Sequence, residues 1–494
     1  MIEDPADEQS FRIGIEKFLI KQFSNFKSQK VSAPKVIHDA VHGTNIFKPY
    51  EIALLDLPII QRLRRISQTD VSSYVFPAGN HNRFEHTLGV TVVAGQMVDA
   101  LFSKHQSPEI KKLTKQYVHQ HCRVAAILHD CGHGPFSHLS EQVYSSQFDA
   151  IKKSNSKFAG ASPHEILSYL IITSSFMKSF FEENIEKEYS VDIDLDFIGD
   201  MVVGYIDKEK TPEKGFMVEI INGAFDADKL DYILRDAHST GIQMAVDLPR
   251  LMYTLDVLTD KCGVKRLAID ISGVSALEEI IFNKMMLTST IYHHQKVRAA
   301  GCLLKSVFMS CEHFKQAVDY LSYTDDQVYN ISSKHSDVTT CINMLKSRII
   351  PKRAFCFSNR TLVNRSNFSK LMGFLKDEYW VKEIISQIST YAKEKLSIDV
   401  PCERIWIDSP REPSFKEATL CIIKCVGSRD DYITLREVFP TDDWVRAFSE
   451  NKWQGFIYTM PEYCDAVSKA SKYVLQFLFD TEFNQNATRF CKID

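Results

Sequence analysis

Three histidines and an aspartate fall within ten consecutive residues, in the string His129-Asp130-Cys131-Gly132-His133-Gly134-Pro135-Phe136-Ser137-His138. Imidazole and carboxylate side chains bind divalent transition metals, and imidazole exchanges protons near neutral pH. Two glycines and a proline space these residues, so the string reads as a turn and does not build a hydrophobic core. As inert structure it would need several buried polar groups satisfied at once. His129 and Asp130 are adjacent and cannot share one side of a regular helix. At a helix end running into a glycine-rich turn they can converge on one ion. The other ligands must come from distant segments. His86, in His81-Asn82-Arg83-Phe84-Glu85-His86, and Asp228, in Asp226-Ala227-Asp228, are the best placed, each on a helix that could pack alongside. Sixteen histidines is somewhat rich for 494 residues, so a single one carries little weight, whereas their clustering does.

Positioning these groups falls to helices. Apolar residues recur at helical spacing over 84–104 and again over 117–129, where the glycine turn closes the second helix. A third helical pattern runs over 215–235. On it Asp228, Tyr232 and Arg235 are spaced i, i+4, i+7 and share a face. Further helices are predicted over 11–26, 163–174, 196–206 and from 274 to about 320. Two short ones, 49–55 and 58–66, have proline near the first turn. Hairpins are predicted over 35–47 and over 255–271, the latter around Lys261-Cys262-Gly263. Beyond about 335 short helices mix with strand-like pieces, of which 420–425 and 431–435 are the clearest. Trp406, Trp444 and Trp453 in this region read mainly as core residues, with an interaction surface as the other possibility. The fold class is mainly α, with short β-hairpins and a smaller mixed α/β C-terminal region. The expected organisation is an N-terminal helical extension over 1–34, a catalytic core over 35–330 and the C-terminal region over 331–494, with no Gly/Ser/Pro-rich linker at the last boundary.

Three segments taken in order, Arg83-Phe84-Glu85-His86-Thr87-Leu88-Gly89, Leu128 through His138, and Asp226-Ala227-Asp228-Lys229-Leu230-Asp231-Tyr232-Ile233-Leu234-Arg235-Asp236, resemble the signatures of HD-domain phosphohydrolases. More narrowly they are similar to the dNTP triphosphohydrolase branch, whose animal members join a SAM domain to the HD domain. The resemblance runs from about Lys35 to about Ala300 and includes Lys35-Val36-Ile37-His38-Asp39 and the run from Gln61 to Gln68. No SAM domain is expected before the core, because too few residues precede it. The resemblance implies a helical HD core with His86, His129, Asp130 and Asp228 as metal ligands, in agreement with the residue-level reading. Two imidazoles and two carboxylates suit Fe, Mn, Zn or Mg and leave positions for a phosphate oxygen and a water. It further implies that His133, His138 and His164 surround the α-phosphate, with His164 able to donate a proton to the leaving oxygen. Arg83 and Lys229 match phosphate contacts, Tyr232 and Asp236 match sugar-reading residues, and Gln68 matches a residue near the 3′-hydroxyl. Around Ile291-Tyr292-His293-His294-Gln295-Lys296 the spacing departs by about one residue, so either Tyr292 or His293 takes the sugar- or base-facing place. Lys284 stands where the family has a phosphate-binding arginine. An effector nucleotide, GTP or a dNTP, is implied at Lys35, Asp56, Gln61 and Arg64, together with assembly into a homo-oligomer, dimer or tetramer.

Composition narrows the alternatives. A net charge of −4 argues against a protein that coats nucleic acid or anionic lipid, although a basic pocket can be local. Twelve cysteines without a CxxC pair argue against a zinc ribbon and for free thiols in a reducing compartment. The acidic N-terminus argues against a signal peptide, and no apolar run is long enough to span a bilayer. A cytoplasmic address is expected, with a nuclear one as the alternative. The functional expectation is metal-dependent hydrolysis of dNTPs to deoxynucleoside and triphosphate. Other readings are an HD-type phosphatase, phosphodiesterase or nuclease acting on another nucleotide or on single-stranded nucleic acid, and a non-enzymatic nucleotide-sensing module. Loss of a ligand would favour the last, and none is missing.

Overall fold

The amphipathic pattern over 84–104 folds as the helix Arg83–Lys104, which packs along two others, Lys115–Leu128 and Ala227–Thr240. Val93, Ala94, Met97 and Val98 of the first helix meet Cys122, Ala125 and Ile127 of the second inside one apolar cluster. Each large side chain buried this way contributes roughly 1.5–3 kcal/mol. Thr114 caps the second helix by accepting from the Tyr117 amide. In this computed structural model the described residues are 7–104, 110, 113–411, 415, 420–425 and 432–491.

Among the described residues the chain is mainly helical, with three small sheets. β1 (Lys35–Asp39) and β2 (Gly43–Phe47) form the predicted N-terminal hairpin. β3 (Leu255–Thr259) and β4 (Lys265–Asp270) form the second. The other strands are β5 (Lys352–Phe357), β6 (Ile405–Asp408), β7 (Ile422–Lys424), β8 (Tyr432–Thr434) and β9 (Gly455–Thr459). β7 and β8 realise the two predicted strand-like pieces, except that Asp431 lies outside the described residues. β7 pairs parallel with β4, which gives the sheet order β3-β4-β7-β8. β5, β6 and β9 were not legible in the sequence. β9 is buried along its whole length and lies between β5 and β6, antiparallel to both, so no polar face marks it as a strand. Phe456 and Tyr458 of β9 face the main core, whereas Ile457 faces a second cluster built with the helices Glu378–Leu396 and Cys464–Phe479. The β5-β9-β6 sheet therefore separates two cores. Trp406 and Trp453 are buried as expected, while Trp444 is exposed.

Two helical expectations need correction. The pattern over 215–235 is two helices, Gly215–Ile221 and Ala227–Thr240. Asp226 breaks it by taking the N-cap: one carboxylate oxygen accepts from the Lys229 amide at 2.8 Å and the other from the Gly223 amide at 2.9 Å. The long pattern from 274 is also interrupted. The helix Val274–Leu287 runs into a π-helical turn, Thr288–Tyr292, before Gln295–Ser310 begins. A π-turn accommodates one extra residue, which is the size of the spacing departure seen there.

The glycine turn after Lys115–Leu128 lies against the helix Pro163–Ile172. A Cβ on Gly132 would collide with the His164 carbonyl and the Ser168 amide, both backbone groups of that helix. The Gly132 amide donates to Ser168 Oγ at 2.9 Å. No described helix is long and apolar enough to cross a membrane, and all twelve cysteines are free. Gly132→Ala should destabilise the fold by about 1–3 kcal/mol, as overpacking against rigid backbone does. Urea unfolding checks this, and an unchanged midpoint would contradict the close approach.

Candidate active site

The three packed helices bring the four expected ligands together. His86 is fully buried, with Nε2 2.9 Å from Asp228 Oδ1 and 3.9 Å from Asp130 Oδ2. His129 Nε2 lies 3.3 Å from Asp130 Oδ1. Ligand atoms of His86, His129 and Asp130 all lie within 4.8 Å of one another. The ring orientations are fixed from behind. His129 Nδ1 contacts the Ala126 carbonyl at 2.7 Å, and His86 Nδ1 contacts Asp231 Oδ2 at the same distance. Each Nε2 is thereby turned to the site. His129 Nε2 is buried and makes no hydrogen bond among the described residues. That orphaned nitrogen, two imidazoles and two carboxylates are the donor set a divalent cation requires.

The electrostatics agree. Burial raises the Asp130 carboxyl, but Arg83, His129 and His133 outweigh it and hold Asp130 well below the usual range. Arg83 donates to Asp130 Oδ2 at 2.8 Å. Burial opposes protonation of His86, yet the hydrogen bonds to Asp228 and Asp231 lift it to about 10. A proton and a metal ion therefore compete for the same nitrogen.

His133, His138 and His164 form a second cluster beside the first. The His133 and His164 rings stack at 3.9 Å, and His138 sits edge-on to both. Glu141 lies behind them, with Oε2 2.6 Å from His164 Nδ1 and 3.3 Å from His138 Nδ1. Burial lowers His164, but Glu141 more than compensates and brings it to about 9. Burial and the neighbouring Arg83 and His164 hold His133 well below the usual value, so it is neutral. The Phe136-Ser137 step ahead of His138 has positive φ at both residues. It is held by Asp325 accepting from the Phe136 amide and by Arg62 donating to the His133 carbonyl.

A cavity of about 490 Å³ opens onto both clusters. All six expected substrate residues, Gln68, Arg83, Lys229, Tyr232, Asp236 and Lys284, line it. Several are already engaged. Lys229 Nζ bonds Asp226 and the Gly223 carbonyl, and Asp236 takes bonds from His81 and the Tyr292 hydroxyl. Both Tyr292 and His293 face the cavity. Arg235 does not share the cavity face with Asp228 and Tyr232. It turns inward and pairs with Asp231 and Asp39.

A family model of the HD domain matches residues 83–189, and one of the HD associated region matches 246–486. Over these residues the chain is similar to proteins that carry an HD domain and its associated region. The first match spans His86, His129, Asp130 and the histidine triad, while Asp228 lies between the two. The "Deoxynucleoside triphosphate triphosphohydrolase SAMHD1 homolog" of Dictyostelium discoideum is 28% identical over 302 residues, 60% of this chain and 53% of the relative. Human "Deoxynucleoside triphosphate triphosphohydrolase SAMHD1" is 28% identical over 343 residues, 66% of this chain and 52% of the relative. An uncharacterized protein of Methanocaldococcus jannaschii is 29% identical over 272 residues, 55% of this chain and 48% of its own length. The chain thus spans about half the length of the curated relatives it matches.

The residues that hold the HD centre in place escaped the sequence reading. Asp231 is unexposed and accepts from His86 Nδ1, from His42 Nε2 at 2.6 Å and from Arg235. Its i+3 spacing from Asp228 was visible, but that spacing does not distinguish a ligand from a ligand's support. Glu141 had a signal in its i+3 spacing from His138. The expected effector residues sit elsewhere. Gln61 and Arg64 bond each other at 2.8 Å, Gln61 also reaches the Leu55 carbonyl beside exposed Asp56, and Lys35 begins β1. None of these four lines the cavity. Asp231→Asn should weaken divalent-metal binding by about 10- to 100-fold, the usual cost of losing such a support. Metal titration by calorimetry measures it, and unaltered affinity would show that His86 is oriented by something else.

Proposed function

We propose that this chain is a divalent-metal phosphohydrolase of nucleotides that cleaves dNTPs to deoxynucleoside and triphosphate. The observation that carries the reading is the meeting, in one cavity, of a two-His, two-carboxylate centre and a carboxylate-backed histidine triad. The named relatives act on deoxynucleoside triphosphates, which supports that substrate class. His86, His129, Asp130 and Asp228 would hold the ion. When bound, it polarises a phosphate oxygen and makes a water more acidic.

The chain's own residues supply the rest. Arg83 braces Asp130 with one nitrogen and Ser137 with another, tying the two clusters together. Glu141 engages Nδ1 of His138 and of His164, which leaves Nε2 of each ring for the substrate. His164 keeps its proton at neutral pH and can pass it from Nε2 to the departing sugar oxygen. Neutral His133 stacks on that ring and limits its rotation. Tyr232 presents an aromatic wall to the sugar, where steric exclusion of a 2′-hydroxyl would favour deoxyribose. An effector nucleotide, GTP or a dNTP, belongs in this reading with Lys35, Asp56, Gln61 and Arg64. The Arg64 guanidinium lies 3.6 Å over the Phe84 ring, at the start of the helix that carries His86, and so links that region to the centre. Assembly as a homo-oligomer belongs with it.

Purified protein incubated with the four dNTPs plus GTP, in Mg²⁺, Mn²⁺ or Fe²⁺, should release deoxynucleoside and intact triphosphate, separated by ion-pairing chromatography. Asp130→Asn should abolish release. A fully active variant would misplace the site, and no turnover by the wild type would point to another phosphoester. The proton donor makes a second prediction. The active form carries the His164 proton, so kcat/KM should fall as pH rises through about 9. Glu141→Gln removes the charge that holds this proton and should move that limb down toward about 6.5. An unmoved limb would exclude His164 as the donor.

A further inference from the structure

Asp325 opens the short helix Asp325–Tyr329, and its buried carboxylate joins two segments that are far apart in the chain. Oδ2 accepts from the Ser67 amide at 2.8 Å and from the Ser67 hydroxyl at 2.6 Å, while Oδ1 accepts from the Phe136 amide at 2.7 Å. Gln68 follows Ser67, and His138 stands two residues after Phe136. Gln68 and His138 line the cavity, whereas Ser67, Phe136 and Asp325 do not. Ser137 Oγ adds a direct tie between the two segments by donating to the Ser67 carbonyl at 2.5 Å. The Phe136 ring packs edge-on against Tyr329, one turn along the same short helix, with centroids 5.3 Å apart. That helix therefore grips Phe136 by its backbone and by its side chain.

The histidine turn needs such a grip. φ is +53° at Phe136 and +48° at Ser137, a region that bulky side chains rarely enter, and backbone of this kind persists only where its surroundings hold it. A carboxylate suits the task, because three donors converge on it and it brings no donor of its own. Burial pushes its carboxyl up to about 6, so it is ionised at neutral pH, and its charge strengthens all three bonds. We propose that Asp325 is a positioning residue that sets the place of His138 in the cavity, by clasping the Phe136–Ser137 turn to the Ser67–Gln68 segment. Its kinetic consequence rests on the nucleotide reading above. Arg83, Lys229 and the expected metal ligands are carried by other elements, so the clasp bears on the reacting geometry more than on capture of the substrate.

Asp325→Asn in the full chain tests the clasp at nearly constant side-chain size. The amide oxygen must face Ser67, which offers two donors, so the amide nitrogen meets the Phe136 N–H donor to donor and the turn is released. With dNTP as substrate, kcat should fall by about ten- to a hundredfold, the cost of a misplaced group, while KM changes little. Without substrate, diethyl pyrocarbonate should modify His138 several-fold faster than in the wild type, read by peptide mass spectrometry, while the exposed His38 and His238 react as before. Asp325→Ala removes the clasp and leaves room for a water in place of the donor clash, so it should show the same pattern where the Asn variant does not fold. The assignment is overturned if kcat and His138 reactivity stay at the wild-type level in a folded variant. It is equally overturned if all three histidines become more reactive together, or if neither variant folds, since Asp325 would then serve the fold as a whole. No turnover of dNTP by the wild type would defeat the nucleotide reading alone, and the reactivity of His138 would still decide the role of Asp325.

Discussion

One unexposed carboxylate, Asp231, holds the centre in register. It takes hydrogen bonds from a hairpin residue, His42, from a helix residue, His86, and from Arg235 one turn further along its own helix. Arg235 extends the chain of contacts to Asp39, which in turn accepts from the Val41 and His42 amides that make the β1–β2 turn. Burying an ion pair costs several kcal/mol per charge, so such a knot is worth little as a source of stability unless every lone pair is used. Here the geometry uses them, and what it secures is position. The helix Arg83–Lys104 makes room by presenting Gly89, where a Cβ would overlap Asp231 and Arg235. Glycine at this position answers to a close approach between two helices and not to flexibility.

The legible parts of the molecule were those in which local chemistry and periodicity agree. The hairpin at 35–47, the helices bearing His86 and His129, and the glycine turn between His129 and His138 were each readable from spacing. The four expected ligands were named from residue type, since imidazoles and carboxylates at helix ends have few other uses in such density. What stayed hidden depends on partners far along the chain. His42, Asp231 and Asp325 look like ordinary polar residues until another segment is folded against them. The break at Asn222–Asp226 shows a different limit. The apolar pattern continues across it, but the side-chain cap at Asp226 outcompetes helix continuation. The strand β9 was hidden for a third reason, because both of its faces are buried and alternation vanishes.

The C-terminal region reaches into the walls of the candidate site. Arg298, on the helix Gln295–Ser310, lines the cavity and makes a two-pronged ion pair with Asp408 at the end of β6, at 2.9 and 2.5 Å. Trp406 of the same strand donates to Ser306 Oγ, and the Tyr458 hydroxyl of β9 donates to the Gln295 carbonyl. These contacts attach the β5-β9-β6 sheet to the helix that follows Tyr292. Arg411, three residues beyond Asp408, reaches the cavity rim and donates to Ser145 Oγ. A segment far in sequence from the expected metal ligands thus fixes one wall of their cavity.

That wall bears on how the cavity can receive a polyanion. Its guanidinium and ammonium groups are not idle: Arg83 neutralises Asp130, Lys229 neutralises Asp226, and Arg298 neutralises Asp408. An incoming phosphate chain must share or displace these partners, so binding is an exchange of ion pairs and not a simple filling of vacant positive charge. Exchange favours ligands whose charge is dense enough to repay the separation of a buried pair. A triphosphate satisfies that condition better than a monophosphate. Arg298 is held bidentately by one carboxylate, so it is the least free of the three to change partners. Arg83 and Lys229, each beside a carboxylate of the centre or its helix cap, are the groups whose pairing is coupled to what the centre holds. On the proposed reading, the same electrostatics that pack the protein would therefore grade its ligands by charge density.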